Sequence, residues 1–258
     1  MLTVISPAKT LDFETPSATS KNSKPAFSKK TNELIGVMRD KTPKDLSKLM
    51  GISPKLAELN VERFQNFRTR GAINEEYKQA VLAFKGDVYI GLDVDSYNER
   101  DFTFAQKNLR ILSGLYGVLK PLDMIQPYRL EMGTKLKTKK GSNLYEFWGN
   151  EIGKSIASEL AEHRNKTLVN LASNEYFKAV ATDKLPGRLI TPVFKDYNNG
   201  TYKILSFFAK KARGSMASFI VKNRISKPED LKDFNEDGYS YNETYSSENE
   251  WVFTRKAS

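Results

Sequence analysis

Residues 189–208 read LITPVFKDYNNGTYKILSFF, and this stretch gives the clearest indication of the fold. The dipeptide Asn199-Gly200 lies between two runs that are rich in β-branched and aromatic residues. Asn-Gly suits the two-residue turns that join antiparallel strands, because both of its residues readily take positive φ angles. The stretch therefore predicts a β-hairpin and argues against a purely parallel sheet.

Outward from this hairpin, strand-like and helix-like segments alternate along the chain. Leu2–Ile5 has the short apolar run of a buried strand, and Thr42-Pro43 is a strong helix start signal. This alternation predicts a mixed α/β (α+β) fold, as one compact domain over residues 1–258 with a mixed sheet and surrounding helices. The other predicted helices run from Asn74 through Phe84 and at 102–112, 142–164 and about 209–224. The other predicted strands are at 87–92 and 167–172, with edge strands at 239–241 and 251–255.

The composition excludes several kinds of chemistry. The 258-residue chain has no Cys and one His, so thiol peroxidase chemistry, thiolate metal sites and sites built on paired histidines are excluded. His163 lies at the end of a predicted helix, where we interpret it as a capping cation. No apolar run reaches the roughly 18 residues of a membrane span, and residues 1–7 lack the features of a signal peptide. We therefore expect a cytoplasmic protein without membrane contact.

Charge is unevenly distributed along the chain. The 41 Lys and Arg residues exceed the 31 Asp and Glu residues, which gives a net charge of +10. Residues 229–250 hold eight acids and one base, so residues 1–228 carry a net charge of +15. A basic body favours a polyanionic partner. The acidic segment is interpreted as a solvated edge, with shielding of a basic surface as the alternative.

Residues 49–57, LMGISPKLA, resemble the hairpin of a helix-hairpin-helix, which we place at about residues 42–68. In that element a glycine turn exposes backbone amides that hold a DNA phosphate at the start of the second helix. Here the usual second glycine is replaced by a serine, and a proline removes one amide donor, so an ordinary α-hairpin is the alternative. The candidate DNA-binding residues are Lys48, Gly51, Ile52, Ser53 and Lys55.

A second basic segment, residues 203–224, contains six bases and no acid. On a helical wheel Lys211 and Lys222 share a polar face with Ser215 and Ser218, which predicts a stripe suited to a phosphate backbone. A solvated amphipathic helix is the alternative. The candidate phosphate-binding residues here are Lys210, Lys211, Arg213 and Lys222.

Polar residues within apolar, glycine-rich segments are candidates for a catalytic pocket. Lys9 directly follows the first predicted strand, where a lysine can serve as a nucleophile or bind an anion. Arg129 and Glu131 are interpreted first as a structural ion pair. The full candidate set is Lys9, Asp87, Tyr116, Arg129, Glu131 and Lys210. The chain has no Walker A or GxGxxG motif and no metal-ligand pattern, so we expect neither a cofactor nor a metal.

Several long segments closely resemble the YaaA family of bacterial peroxide stress response proteins. They are ISPAKTLDF (5–13), LAFKGDVYIGL (82–92), LRILSGLYGVLKPLDMIQPYRLEMG (109–133), LYEFWG (144–149), NLASNEYFKAV (170–180) and SFFAKKARGSMASFI (206–220). The resemblance implies a role in limiting iron-dependent oxidative damage. It also implies an unusual mixed α/β fold and DNA binding through a helix-hairpin-helix and a basic cleft.

Three functions are consistent with these observations. The first is protection of double-stranded DNA through sequence-tolerant backbone contacts. The alternative is an enzyme that acts on a nucleic-acid base or a phosphorylated small molecule, and it requires the six candidate residues to converge in one pocket. Direct iron sequestration is the weakest, because one His and no Cys leave only carboxylates as ligands.

Overall fold

The computed structural model describes residues 1–70, 73–180 and 182–256. Its α-helices are α1 (Ser28–Arg39), α2 (Pro43–Met50), α3 (Pro54–Asn66), α4 (Ala80–Ala83), α5 (Asp87–Leu92), α6 (Glu99–Asn108), α7 (Leu144–Trp148), α8 (Glu151–Glu162), α9 (Asn174–Phe177) and α10 (Ser206–Lys222). Its strands are β1 (Leu2–Ile5), β2 (Thr10–Leu11), β3 (Lys78–Gln79), β4 (Phe84–Lys85), β5 (Leu109–Ser113), β6 (Gly117–Leu119), β7 (Met124–Ile125), β8 (Thr167–Leu171), β9 (Arg188–Asn198), β10 (Thr201–Lys203), β11 (Ser240–Tyr241) and β12 (Glu250–Arg255).

A mixed eight-stranded sheet organises the molecule, which confirms the predicted fold class. The strand order is β11-β12-β9-β8-β1-β5-β6, and β10 pairs with β9. The five strands β12, β9, β8, β1 and β5 are mutually parallel, whereas β6, β10 and β11 pair antiparallel. The predicted hairpin is the β9–β10 pair, in which Thr201 lies opposite Asn198. The central strands β1, β5 and β8 are buried along their full length, as expected for parallel strands that are covered on both faces.

Helices α5 and α10 pack against each other with their backbones in direct contact. A Cβ atom added to Gly91 of α5 would lie 2.0 Å from the carbonyl oxygen of Lys211, and one added to Gly214 of α10 would lie 1.8 Å from that of Val88. Only residues without a side chain allow this approach. The two glycines therefore fix the position of α10 relative to α5.

Five predicted elements differ from the structure because tertiary contacts decide them. Residues 87–92 form a helix and not a strand, since a short apolar run does not distinguish the two and the Gly91 contact requires the helix. The helix predicted from Asn74 to Phe84 is broken, because the backbone pairs with β7 at β3 and with β2 at β4. Residues 109–112 belong to β5, which pairs with β1.

The predicted helix 142–164 is two helices, α7 and α8, separated at Gly149, which has a φ of 52°. Strand β12 is not an edge strand, because it lies between β9 and β11 and residues 251–254 are buried. His163 lies at the end of α8 as predicted, but as a neutral ring and not as a cation. Burial, the N-terminal charge and Arg110 lower its pKa, and the Met1 amino group donates a hydrogen bond to its Nδ1 at 3.1 Å.

Among the described residues, no helix is both long and apolar enough to cross a membrane.

Candidate functional site

A cavity of about 470 Å³ lies at the carboxyl ends of the parallel strands β1 and β8. The chain places β5 on one side of β1 and later places β8 on the other side, so the strand order reverses at β1. In open α/β sheets, such a reversal leaves a crevice at the carboxyl ends of the strands, where ligands bind. The cavity volume is within the usual range for small-molecule sites. Its charged lining residues are Lys9, Lys85, Asp87, Glu131, Glu175, Lys210 and Arg213.

Two ion pairs cross the cavity wall. The Nζ of Lys9 lies 2.6 Å from Glu131, whose other carboxylate oxygen accepts a hydrogen bond from Arg129 at 3.1 Å. The Nζ of Lys210 on α10 lies 3.8 Å from the Asp87 carboxylate on α5, a distance at which no hydrogen bond forms. Glu131 is therefore firmly held, whereas Asp87 and Lys210 are only loosely paired.

The remaining carboxylate in the cavity wall, Glu175, is also engaged. It accepts a hydrogen bond from the backbone amide of Gly133 at 2.8 Å. Lys85 faces two acids outside the cavity, Asp12 at 3.8 Å and Asp95 at 3.9 Å. The amide contact orients Glu175 without neutralising its charge, whereas Lys85 is shared between two acids outside the cavity.

Arg213 differs from the other cavity cations. It is half-buried, and burial lowers the pKa of its guanidinium from the ordinary value, although not enough to remove the charge. Within the described ranges no carboxylate lies within 4.0 Å of it. Arg213 is therefore a partly desolvated cation that lacks a protein counter-ion there.

Hydroxyl groups line the cavity beside these charges. The Ser6 Oγ accepts a hydrogen bond from the Ser173 amide at 2.9 Å, which joins the loops that follow β1 and β8. The Tyr89 hydroxyl donates to the Ser6 carbonyl at 3.2 Å. Tyr176 is buried in the wall, and this burial raises the pKa of its phenol. The phenol therefore stays protonated at neutral pH and can serve as a hydrogen-bond donor.

The structure brings four of the six catalytic candidates together: Lys9, Asp87, Glu131 and Lys210 line the cavity. Arg129 forms the expected ion pair with Glu131 and orients it from behind. Tyr116 does not reach the cavity. It is buried in the turn between β5 and β6, where its hydroxyl accepts a hydrogen bond from the Gln126 amide.

Three further residues that line the cavity were not among the sequence-based candidates: Lys85, Glu175 and Tyr176. The signal for Glu175 and Tyr176 was present, because NLASNEY continues directly from the predicted strand at 167–172, as Lys9 follows β1. Polar residues at the carboxyl ends of two buried strands meet if the strands are parallel neighbours. Lys85 lies on β4, which has no distinct pattern in the sequence.

Helices α2 and α3 form an α-hairpin, which was the alternative interpretation, and the structure does not confirm the helix-hairpin-helix predicted at about residues 42–68. Caps at both helix starts hold the turn. Thr42 and Asp45 make a capping box at the start of α2, and the Ser53 Oγ accepts from an amide of α3. Gly51 has a φ of 61°, and its amide and that of Ile52 both donate to the Ser47 carbonyl. These two amides are therefore unavailable to a phosphate.

The other hairpin candidates lie at the surface. Lys48 and Lys55 are exposed, whereas Ile52 packs against the core. A second concavity of about 530 Å³ lies between α2 and residues 133–135, and we call it the hairpin groove. Its charged lining residues are Lys41, Asp45, Lys48 and Lys135. Three lysines against the single carboxylate of Asp45 give the lining of the groove a net positive charge.

The basic stripe predicted on α10 is not an exposed surface. Asp237 lies against the middle of the helix, 2.8 Å from the Nζ of Lys211 and 3.2 Å from the Ser215 Oγ. Ser215 and Ser218 are buried, while Lys222 is exposed at the far end. The acidic segment 229–250 thus folds back onto the basic helix at Asp237 and neutralises Lys211. This favours the shielding alternative over a fully solvated edge.

No group of three or more Asp, Glu, His or Cys side chains in the described part of the chain is placed to hold a metal ion.

Comparison with known proteins gives consistent results. A family model described as "Peroxide stress protein YaaA" matches residues 1–245. The UPF0246 protein of Teredinibacter turnerae is 53% identical over 256 residues, which cover 99% of this chain and 100% of that protein. The UPF0246 protein of Cellvibrio japonicus is 55% identical, covering 99% of each chain. That of Aliivibrio fischeri is 54% identical, covering 99% of this chain and 98% of the relative.

Proposed function

The chain belongs to the YaaA family of peroxide stress proteins, and from this premise we propose that it protects cytoplasmic DNA during peroxide stress by binding it directly. Binding occurs on double-stranded DNA with little sequence preference, through the α-hairpin at about residues 42–68 and the hairpin groove, with Lys211 and Lys222 of α10 as further phosphate contacts. Its effect is to limit iron-dependent oxidative damage. With no Cys in the chain, protection does not proceed through a thiol.

The observation that carries this proposal is the lysine-lined hairpin groove. Lys41, Lys48 and Lys135 face one concavity, and the only acid among its lining residues, Asp45, is already hydrogen-bonded to Thr42. Lys55 is exposed on the second helix of the same hairpin. Lysines attract phosphate oxygens without reading bases, so these contacts are sequence-tolerant.

Backbone amides add a second contribution at the same hairpin. Of residues 51–55, Gly51 and Ile52 have amides that cap α2, and Pro54 has no amide hydrogen. The amides of Ser53 and Lys55 have no hydrogen-bond partner among the described residues. They lie at the positive end of α3, a 13-residue helix, where an anion is favoured.

Fluorescence anisotropy with labelled duplex DNA at several salt concentrations tests this function. Each lost phosphate contact reduces the slope of log affinity against log salt by about 0.9. The double variant Lys48→Ala/Lys55→Ala is therefore expected to reduce the slope by up to about 2 and to weaken binding on all sequences equally. The matched control is Lys107→Ala/Lys154→Ala, which removes two exposed helical lysines outside both concavities. Equal losses in both variants, or a salt-independent affinity, would refute the proposal.

A second candidate function is an enzyme acting on a nucleic-acid base or a phosphorylated small molecule. The observation that favours it is the convergence of Lys9, Asp87, Glu131 and Lys210 from four distant chain segments in one cavity. The Lys9 side chain is 62% exposed and paired with Glu131 at 2.6 Å, so it lacks the desolvated pocket that activates a lysine nucleophile. A lyase that used Lys9 would form a borohydride-trapped adduct with abasic DNA, and we expect none.

A further inference from the structure

We propose that the cavity at the carboxyl ends of β1 and β8 binds a small phosphomonoester, with Arg213 as the principal phosphate ligand. The inference uses the same cavity as the second candidate function, but it requires no catalysis. It is also independent of DNA binding at the α-hairpin.

The first step is the charge balance inside the cavity. Its lining residues carry four positive charges, on Lys9, Lys85, Lys210 and Arg213, against three negative charges, on Asp87, Glu131 and Glu175, which gives a net charge of +1. Lys85 is directed toward two acids outside. Arg213 is the lining cation that has no carboxylate within 4.0 Å among the described residues. A ligand that completes this balance is an anion.

The second step is the type of anion. A guanidinium presents a planar set of donors that binds two phosphate oxygens at once. Lys210 is one helical turn before Arg213 on α10, and at 3.8 Å from Asp87 it forms no hydrogen bond that a ligand would have to break. Two cations from one helix face match the charge of a phosphomonoester, which approaches −2 at neutral pH. Ser6 and Ser173 also line the cavity; the Ser6 hydroxyl donates to the Ser173 Oγ at 3.4 Å, which leaves the Ser173 hydroxyl as a neutral donor toward a ligand.

The third step is the size and rigidity of the site. The volume of about 470 Å³ suits a single small molecule, and the loops after β1 and β8 that form it are joined by the Ser173–Ser6 hydrogen bond. The glycine contact between α5 and α10 fixes Asp87 relative to Lys210 and Arg213. Because the site is already formed, binding does not require ordering of the chain, which favours affinity for a small ligand.

Isothermal titration calorimetry tests the inference with four probes: ribose 5-phosphate, adenosine 5′-monophosphate, adenosine and inorganic phosphate. We expect both phosphate esters to bind, inorganic phosphate to bind more weakly and adenosine not to bind. Arg213→Gln is expected to weaken ester binding about 10- to 100-fold, because it removes a charge-assisted contact. Arg213→Lys keeps the positive charge but loses the planar guanidinium that binds two oxygens at once. Its ester affinity should therefore lie between that of Arg213→Gln and that of the unmodified protein.

The matched control is Lys154→Gln, which removes one positive charge from an exposed helical position outside the cavity and should leave ester affinity unchanged. If Arg213→Gln lowers the thermal midpoint of the protein, Lys210→Gln serves as the test variant in its place. The Lys210 side chain is exposed, and its loss should also weaken ester binding. Equal binding of adenosine and its monophosphate, or unchanged ester affinity in Arg213→Gln and Lys210→Gln, would overturn the inference. DNA affinity is measured in parallel to separate this inference from the proposed function. If the phosphate esters fail to bind while the hairpin still binds DNA, only the inference about the cavity fails.

Discussion

Replacing Gly214 by alanine tests whether the contact between α5 and α10 is as close as the structure shows. The new Cβ would lie 1.8 Å from the Val88 carbonyl oxygen and 2.8 Å from the Leu92 amide nitrogen, whereas ordinary van der Waals contact begins at 3.4 Å. The obstructing atoms are backbone atoms of α5, so no side-chain rotation can relieve the overlap. Helix α10 would have to move by about 1.6 Å at this point to restore ordinary contact.

Two opposing effects set the magnitude. Alanine is favoured over glycine inside a helix by about 1 kcal/mol. Overpacking of a tight interface typically costs about 1–3 kcal/mol, and a backbone obstruction places this site at the upper end. We therefore expect Gly214→Ala to lower the free energy of unfolding by about 2 kcal/mol. In a protein of this size, that corresponds to a fall in the thermal midpoint of about 4–8 °C.

Urea denaturation followed by circular dichroism measures the effect, with Gly36→Ala as the matched control. Gly36 lies in the middle of α1, and a Cβ there would meet nothing within 4 Å, so the same substitution should raise stability by about 0.5–1 kcal/mol. The expected signature is thus opposite signs for one chemical change in two helices. Stabilisation in both variants would show that α5 and α10 are farther apart than described and would refute the reasoning.

Three further predictions concern charge. Asp12→Asn removes a counter-ion 3.6 Å from the buried Lys78, so we expect a loss of about 2 kcal/mol in urea denaturation at pH 7. Hydrogen bonds from backbone amides and the Lys78 charge hold the pKa of Asp12 below its ordinary value. The contribution of Asp12 to the free energy of unfolding is therefore present above about pH 4 and is lost at lower pH. Asp237→Asn releases Lys211, and anisotropy should show tighter DNA binding, with the salt slope steeper by up to about 1. Burial lowers the pKa of His163, so this side chain binds a proton more readily in the unfolded chain than in the folded protein. The free energy of unfolding should therefore fall as pH drops below about 6.5, and His163→Gln should make this dependence on pH less steep.

Each of these predictions has a result that contradicts it. Stability of Asp12→Asn equal to that of the unmodified protein at pH 7 would mean that Lys78 needs no carboxylate. Unchanged DNA affinity in Asp237→Asn would place α10 outside the DNA-binding surface. An identical pH dependence with and without His163 would assign the acid loss of stability to other groups.

The sequence alone was sufficient for features that depend on local chemistry. The Asn199-Gly200 turn, the Thr42 and Ser53 caps and the apolar run at Leu2–Ile5 each act within a few residues, and the structure confirms all of them. The excluded thiol chemistry also follows from composition. The family resemblance was carried by long ordered segments, and the comparisons confirm it.

The candidate site was predictable only in part. Polar residues in apolar segments identified Lys9, Asp87, Glu131 and Lys210, but nothing in their spacing showed that they meet, since they are separated by 44 residues or more. Tyr116 had the same sequence signal and lies elsewhere, because a buried tyrosine in a turn looks the same in a sequence as one in a cavity wall.

Only the tertiary structure decided the order of the strands, and with it the cavity. Local propensity determines that β1 and β8 are strands, but their parallel pairing depends on contacts across more than 160 residues. The same holds for α5, which is a helix because Gly91 packs against α10, and for Asp237, which covers Lys211 because the acidic segment folds back. The sequence determines how many charges the chain carries and how they are spaced, whereas packing determines which of them lack a partner of opposite charge. Arg213 shows this most clearly, because only the folded structure leaves it without a nearby carboxylate among the described residues.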